Sequence, residues 1–261
     1  MTTLDISLPR FSRRIFAVWN RNFLVWRKLA IPSVLGNLAD PMIYLFGLGY
    51  GLGKLLPDVG GVSYIVFLAA GTVCASTMNA ASFEALYSAF SRMHVQKTWE
   101  AILNAPIDLD DVVGGELLWC ATKATLSGVA ILVVVAALGL VPSPLALWAL
   151  PAIFLIALTF SAMGLIITAL APSYDFFMYY FTLLITPMTL LCGVFFPVDQ
   201  LPALAQTLGQ ALPLTHAVAL VRPLLLGQLP VAPLLNVTVL LLIALVSYWI
   251  ALVLTRKRLL S

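Results

Sequence analysis

Long apolar runs, broken by short polar or Pro- and Gly-rich stretches, set the pattern of the chain. Six runs, at 31–53, 62–89, 112–140, 145–170, 176–196 and 234–255, reach the ~20 residues with which a helix crosses a bilayer core. The breaks carry turn chemistry. Val141-Pro142-Ser143-Pro144 divides the third run from the fourth, and Pro172 with Asp175 divides the fourth from the fifth. Asp108 stands where it can cap the third helix, with Asp111 three residues on, and Asp110 suits the positive end of the helix dipole. Positions 10–28 follow a different rule. At 3.6 residues per turn Ile15, Val18, Trp19, Phe23 and Trp26 share one face, and Arg10, Arg14, Ala17, Arg21 and Lys28 fall opposite. This pattern predicts a helix lying in the membrane interface. No small-residue cleavage site follows it, which argues against a signal peptide.

Composition fixes the class. Of 261 residues, 62% are hydrophobic and 10% charged, against ~45–50% apolar and ~25% charged in a soluble domain. A mean hydropathy of +1.03 exceeds what one small globule can bury. The expected fold is an all-α polytopic membrane protein, one transmembrane domain over 1–261. A soluble enzyme, a nucleic-acid binder and a disulfide-stapled module are excluded. Cys74, Cys120 and Cys192 lie far apart in apolar runs, without metal-ligand spacing, and read as buried small residues; no metal site is expected. With the N-terminus in the cytoplasm, 12 of the 14 Lys and Arg residues fall inside, among them Arg13, Arg27, Arg92, Lys97, Lys123, Arg256, Lys257 and Arg258. Only Lys54 and Arg222 fall outside. This asymmetry predicts both termini in the cytoplasm and an even number of crossings.

Two connecting segments carry candidate function. The loop at 197–233 is too apolar for water, with a stripe of Leu201, Leu204, Leu208 and Leu212. Asp199 can cap a helix at 200–212, Pro213 breaks it, Thr215 can cap a second at 216–226, and Gly227 can end that one. The segment 197–227 is either a packed extracellular lid or a re-entrant hairpin lining an exit. The other segment follows the second span. Thr98 can start a short helix at 98–104, limited by Pro106, whose exposed face would offer Trp99, Ile102 and Leu103 beside Glu100. Such a face suits a protein partner or a membrane surface.

Acids inside apolar runs are costly and find partners or purposes. Glu84 and Glu116 lie near the cytoplasmic edge, where Lys123 is a candidate partner. Asp40 lies two turns into the first span; it either pairs with a basic residue of the interfacial helix or serves substrate or ion binding. Thr72, Ser76 and Asn79 share one face of the second span, near Gly71 and Ala75, and serve either close helix packing or the wall of a polar passage. Tyr44, Tyr50, Phe195 and Phe196 are aromatic contacts for sugar or acyl groups, or belt residues. No catalytic residue is identified. There is no G-x-x-x-x-G-K-[ST], no H-E-x-x-H and no G-x-S-x-G, and the two histidines, His94 and His216, fall on opposite sides of the membrane.

These pieces together resemble a type-2 ATP-binding-cassette exporter permease. The strings Arg27-Lys28-Leu29-Ala30, Leu35-Gly36-Asn37-Leu38-Ala39-Asp40-Pro41 and Tyr44-Leu45-Phe46-Gly47-Leu48-Gly49-Tyr50-Gly51-Leu52-Gly53 are similar to its nodulation J branch. So are Phe67-Leu68-Ala69-Ala70-Gly71, Thr98-Trp99-Glu100-Ala101, Gly115-Glu116-Leu117-Leu118-Trp119 and Ala121-Thr122-Lys123-Ala124. The stretch from Cys192-Gly193-Val194-Phe195-Phe196-Pro197 to Val198-Asp199-Gln200-Leu201-Pro202, and Pro213-Leu214-Thr215-His216, resemble the wider class.

The resemblance implies two copies of this chain, two copies of a separate ATPase that holds ATP and magnesium, and a place in a bacterial inner membrane. It implies that Thr98, Trp99, Glu100, Ile102 and Leu103 form a coupling helix against that ATPase, with a second contact near Asp175. It implies export of a lipo-oligosaccharide or related glycolipid, along a path for which Asp40, Tyr44, Thr72, Ser76, Asn79, Phe195 and Phe196 are the candidates. Efflux of a hydrophobic drug, or ion-gradient transport using Asp40, are the alternatives.

Overall fold

The computed structural model describes residues 6–10, 12–56, 58–59 and 61–260. Among them, five helical stretches are long and apolar enough to cross a membrane: Ile15–Lys54, Tyr64–Val95, Leu109–Ala137, Pro144–Leu170 and Pro233–Leu260. The first contains α1 (Ile15–Trp26) and α2 (Ala30–Gly51), joined by a 3₁₀ turn at Arg27–Leu29. The interfacial helix is therefore continuous with the first span rather than separate from it. Its predicted apolar face packs on α5 (Leu109–Ala137), where Val18 is buried and the indole N–H of Trp19 donates to Thr122 Oγ1 at 3.1 Å.

The second span begins as α3 (Tyr64–Phe83) and does not stop at 89. It runs on through two π-helical stretches, Glu84–Ala89 and Ser91–Val95. The segment after 89 reads as polar because of Arg92, but Arg92 turns inward onto Glu84 and Glu116 and the helix continues around it. The short α4 (Thr98–Leu103) follows, after Lys97 in the left-handed region at φ 52°. Helix α5 starts where expected; Asp108 occupies the cap position with extended backbone but makes no side-chain capping bond. A 3₁₀ turn at Pro144–Trp148, with Ser143 Oγ accepting from the Leu145 N–H, opens α6 (Ala149–Leu170).

The fifth predicted span is shorter than expected. Helix α7 (Phe176–Tyr180), a π-helical stretch and α8 (Thr186–Leu191) form one apolar rod, Phe176–Leu191. At 1.5 Å per residue it measures ~24 Å, short of a ~30 Å core. Gly193, at φ 75°, turns the chain there. The predicted capped pair beyond it also needs correction. Asp199 sits in a 3₁₀ turn, and α9 (Ala203–Gln210) begins only after Pro202. Pro213 is the first residue of α10 (Pro213–Leu225) rather than a breaker, in the position where a missing N–H costs nothing. The Thr215 hydroxyl accordingly donates back to the Gly209 carbonyl instead of capping. Gly227, at φ 75°, ends α10 as expected. The last helix, α11 (Pro233–Leu260), carries Lys257 and Arg258 in its final turn, where cations suit the dipole. A two-residue hairpin of β1 (Asp58–Val59) and β2 (Val62–Ser63), which nothing in the hydropathy pattern announces, joins α2 to α3.

Helix α3 is the hub, buried almost all round by α2, α5, α6 and α10. Its contacts are close because they use small residues. Gly128 faces Thr77, Gly164 faces Ala85, and Gly71 faces the backbone at Val194. The three cysteines are buried and free. The outer surface is apolar, with Ile31, Leu183 and Leu234 among the exposed large side chains, as hydrocarbon contact requires. The leucine stripe of the hairpin splits: Leu204 and Leu208 point outward, whereas α10 packs into the body.

A Cβ at Gly71 would fall within contact distance of the Val194 backbone, which cannot swing away as a side chain can. Gly71→Ala is expected to cost ~1–3 kcal/mol through overpacking, read as a lower melting temperature in detergent. Gly36→Ala, inside α2 with open space around it, should not lower melting, since Ala favours the helix over Gly.

Candidate functional site

A cavity of about 350 Å³ opens between α2, α3 and the Phe176–Leu191 rod. Its polar wall is Thr72, Ser76 and Asn79 of α3, which stand at i, i+4 and i+7 and so share a face. Asp40 and Tyr44, one turn apart on α2, stand across from them. Phe195 closes one end, its ring 6.1 Å from that of Tyr44. Six of the seven path residues expected from sequence thus meet in one place; Phe196 does not line the cavity, and Tyr50 stacks on Phe46 elsewhere. The wall is not free to turn away. Thr72 hydrogen-bonds the Leu68 carbonyl at 2.8 Å, and Ser76 lies 3.5 Å from Ser127 of α5. Ser76 packs α3 onto α5 and also lines the cavity. Asp40 forms no ion pair among the described residues, so the expected pairing with the interfacial helix is absent. It stands exposed at the cavity's open rim.

The Phe195 end is held by two devices that sequence did not single out. Gly71 admits the Val194 backbone against α3. Arg222 of α10, which the sequence marks only as an outer-side cation, is turned inward. It donates to the Gly193 carbonyl and lies 3.8 Å over the Phe67 ring, a cation–π contact. The turn that carries Phe195 is therefore pinned to both α3 and α10.

A second constellation forms where α3 ends. Glu116 of α5 accepts from Arg92 Nε and Nη2, the latter at 2.6 Å, and from the Trp99 indole at 3.1 Å. Glu84 accepts from Arg92 Nη1 at 3.1 Å, from the Trp119 indole at 2.9 Å and from Lys123 at 2.5 Å. Two carboxylates and two cations balance, and both indole N–H groups are spent on carboxylates. The pairing of Glu84 with Lys123 agrees with the sequence expectation. Arg92 and Trp119 were missed, because neither periodicity nor spacing shows that a charged residue in a polar loop points inward.

This cluster corrects the reading of α4. Trp99 is 1% exposed and faces Glu116, while Ile102 and Leu103 pack against the core. The inward face of α4 is the one predicted to be exposed. An indole this size, with an acceptor in reach, gains more from burial than from water. The outward residues are Glu100, which pairs with Lys97 at 3.8 Å, together with Ala101 and Asn104. Thr98 is partly buried, its hydroxyl 3.5 Å from Gln96 Oε1. Asp175 is exposed in the turn before α7, and its neighbour Tyr174 packs edge-on against Phe90, 5.0 Å away. Asp175 and α4 therefore lie at the same end of the molecule. A further pair closes that end: Arg256 of α11 donates to both oxygens of Asp110 and to Ser7.

The family model described as ABC-2 type transporter matches residues 13–226. The chain is 50% identical over 254 residues to nodulation protein J of Rhizobium leguminosarum bv. trifolii, covering 97% of each chain. It is 49% identical over 253 residues to nodulation protein J of Rhizobium meliloti (strain 1021), again covering 97% of each. A more distant relative is the inner membrane transport permease YadH of Escherichia coli (strain K12), 26% identical over 205 residues, or 78% of this chain and 79% of that one.

Arg92 bridges two buried carboxylates, so its removal leaves uncompensated charge. Arg92→Met is expected to destabilise the protein by ~3–5 kcal/mol, measured by thermal unfolding in detergent. Adding Glu116→Gln to Arg92→Met should recover part of that loss, since one orphaned charge is then gone.

Proposed function

The chain belongs to the ABC-2 type transporter family, and on that premise we propose that it is the membrane half of an ATP-driven exporter. In this reading two copies work with two copies of a separate ATPase, which binds ATP and magnesium, in a bacterial inner membrane. The cargo is an amphiphilic glycolipid or lipo-oligosaccharide, moved outward. The Phe176–Leu191 rod is the fifth of six crossings, tolerated at its length by local thinning of the bilayer. Helices α9 and α10 form a re-entrant hairpin on the outer side, and both termini are cytoplasmic.

The observation that carries this reading is the charged cluster, because it joins α4 to the spans. In the proposed cycle the ATPase grips Glu100, Ala101 and Asn104 on the outward face of α4, with the Asp175 turn as a second contact. Thr98 begins the helix, and Trp99, Ile102 and Leu103 are its inward anchor rather than its docking face. Motion of α4 passes from Trp99 to Glu116 of α5, and through Arg92 to Glu84 at the end of α3. Asn79 and Ser76 lie one and two turns further along the same helix and line the cavity. A wall with amide and hydroxyl groups on one side and Tyr44 and Phe195 on the other suits sugar with an acyl chain. The polar side of that wall is the reason for preferring this substrate class over a hydrophobic drug.

Asp40, without an ion-pair partner at the cavity rim, favours one rival: a gradient-driven transporter with Asp40 as its ion site. Transfer of a labelled lipo-oligosaccharide in proteoliposomes holding both subunits separates the two. Export should require ATP and survive Asp40→Asn; transport without the ATPase, lost in Asp40→Asn, would select the rival.

Glu100→Lys reverses charge on the outward face of α4 without touching its anchor. It should reduce ATP-dependent transport at least ~tenfold, a coupling loss of ~1.4 kcal/mol, with unfolding temperature unchanged. Trp99→Ala should lose transport and stability together. Full transport in Glu100→Lys would remove α4 from the coupling route.

A further inference from the structure

A second cavity, of about 520 Å³, lies beside the charged cluster, between α1, the π-helical end of the second span, α5 and the Tyr174 turn. Its floor is rich in hydrogen-bond donors. Asn22 is 3% exposed, and its side-chain amide nitrogen is buried with no hydrogen-bond partner. The orientation of that amide is fixed, because Arg21 donates to its oxygen at 2.9 Å. The nitrogen's two N–H groups find no acceptor among the described residues, and burying such a group without one is costly.

Charge points the same way. Arg92 and Lys123 also line the cavity, but Glu84 and Glu116 answer them. Arg21 has no carboxylate within ion-pair distance among the described residues. It is the surplus cation of the site. The rim is of another character. Val25, Tyr87 and Tyr174 are exposed there, the two tyrosine rings stacked 6.0 Å apart. A buried donor, a guanidinium without a carboxylate partner and an exposed apolar rim match the three parts of an amphiphile: acceptor oxygens, negative charge and chain.

We infer that this cavity is a binding site for the anionic headgroup of a membrane lipid from the leaflet at the α4 end, its oxyanion held by Arg21 and the Asn22 amide and its chain lying along Val25, Tyr87 and Tyr174. Guanidinium with oxyanion is a strong, geometrically selective pairing. The site is separate from the Asp40 cavity, which lies further along α3 on its α2 side. The inference rests on the chain's place in a membrane, not on export or its cargo, so the two can fail independently. A bound lipid here would touch α1, the end of α3 and the Tyr174 turn at once, and would stabilise their present arrangement.

The test uses the full chain in detergent, exchanged with an equimolar mixture of phosphatidylglycerol and phosphatidylcholine of identical acyl chains, and read by native mass spectrometry. Retained phosphatidylglycerol should exceed phosphatidylcholine about tenfold. Arg21→Gln should bring the ratio close to one, and Arg21→Lys should keep most of the preference. Asn22→Asp still accepts from Arg21 but replaces the free N–H groups with negative charge, and should also abolish the preference. Arg21 is only partly buried, so Arg21→Gln decides the matter if Asn22→Asp folds poorly. Equal retention of both lipids by the native protein, or a preference untouched by Arg21→Gln, overturns the site. A second arm adds inorganic phosphate without lipid. Thermal stabilisation by millimolar phosphate, lost in Arg21→Gln, would assign the cavity to a soluble anion and overturn the lipid assignment.

Discussion

Taking Glu84 and Glu116 out of water costs several kcal/mol for each ion unless cations and further donors surround them. Much of the α4 end is arranged around that demand. Arg92 serves both carboxylates at once, Lys123 serves Glu84, and the indoles of Trp99 and Trp119 supply the remaining N–H groups. The consequences reach beyond the cluster. The second span must continue past residue 89 to bring Arg92 inward, and α4 must turn its large face toward Glu116. Lys97 takes a left-handed backbone to make that reversal. A set of ion pairs that adds little net stability against an apolar replacement can still specify one arrangement of helices, and here it specifies how α4 meets α3 and α5.

The opposite end is built by a different device, close approach of backbones. Gly71 leaves room for Val194, and Gly193 supplies the positive φ that turns the chain there. Arg222 then caps the turn through the Gly193 carbonyl and the Phe67 ring. No carboxylate pairs with Arg222 among the described residues. Its charge is met by a carbonyl dipole and a π face, which need no second buried ion. One end of α3 is thus fixed by charge and the other by shape, and the Asp40 cavity lies between them.

How much of this was legible depended on the range of the interaction. Span positions follow from length and apolar content, and five of the six runs appear as membrane-length helices. The i, i+4, i+7 spacing of Thr72, Ser76 and Asn79, and the i, i+4 spacing of Asp40 and Tyr44, each define a face from sequence alone. That the two faces meet is a matter of helix packing, which no local pattern contains. The failures share one cause. Arg92, Trp99 and Arg222 are residues whose polar or amphipathic character suggests water, and each is turned inward by a partner far away in the chain. The short Phe176–Leu191 rod failed differently: its apolar run continues past 191, but Gly193 sets the turn, and hydropathy carries no φ.

Helix α3 now has a specific mechanical meaning. Along one rod it carries the Gly71 contact, the polar cavity wall and, through its π-helical continuation, Glu84 and Arg92. π-Helical stretches widen the ring of backbone hydrogen bonds and are frequent at functional sites and at helix kinks. Two such stretches lie between the cavity wall and α4, and a third interrupts the Phe176–Leu191 rod on the other side of the cavity. Tyr87, in the first of them, packs against Phe177 and Phe181 of that rod, 5.2 and 6.3 Å away. Both walls of the cavity therefore carry a π-helical stretch, and aromatic contact joins them there. At the other end the turn after the rod is tied to α3 by the Gly71–Val194 packing and the Arg222 pin, so the two walls are joined on both sides of the cavity.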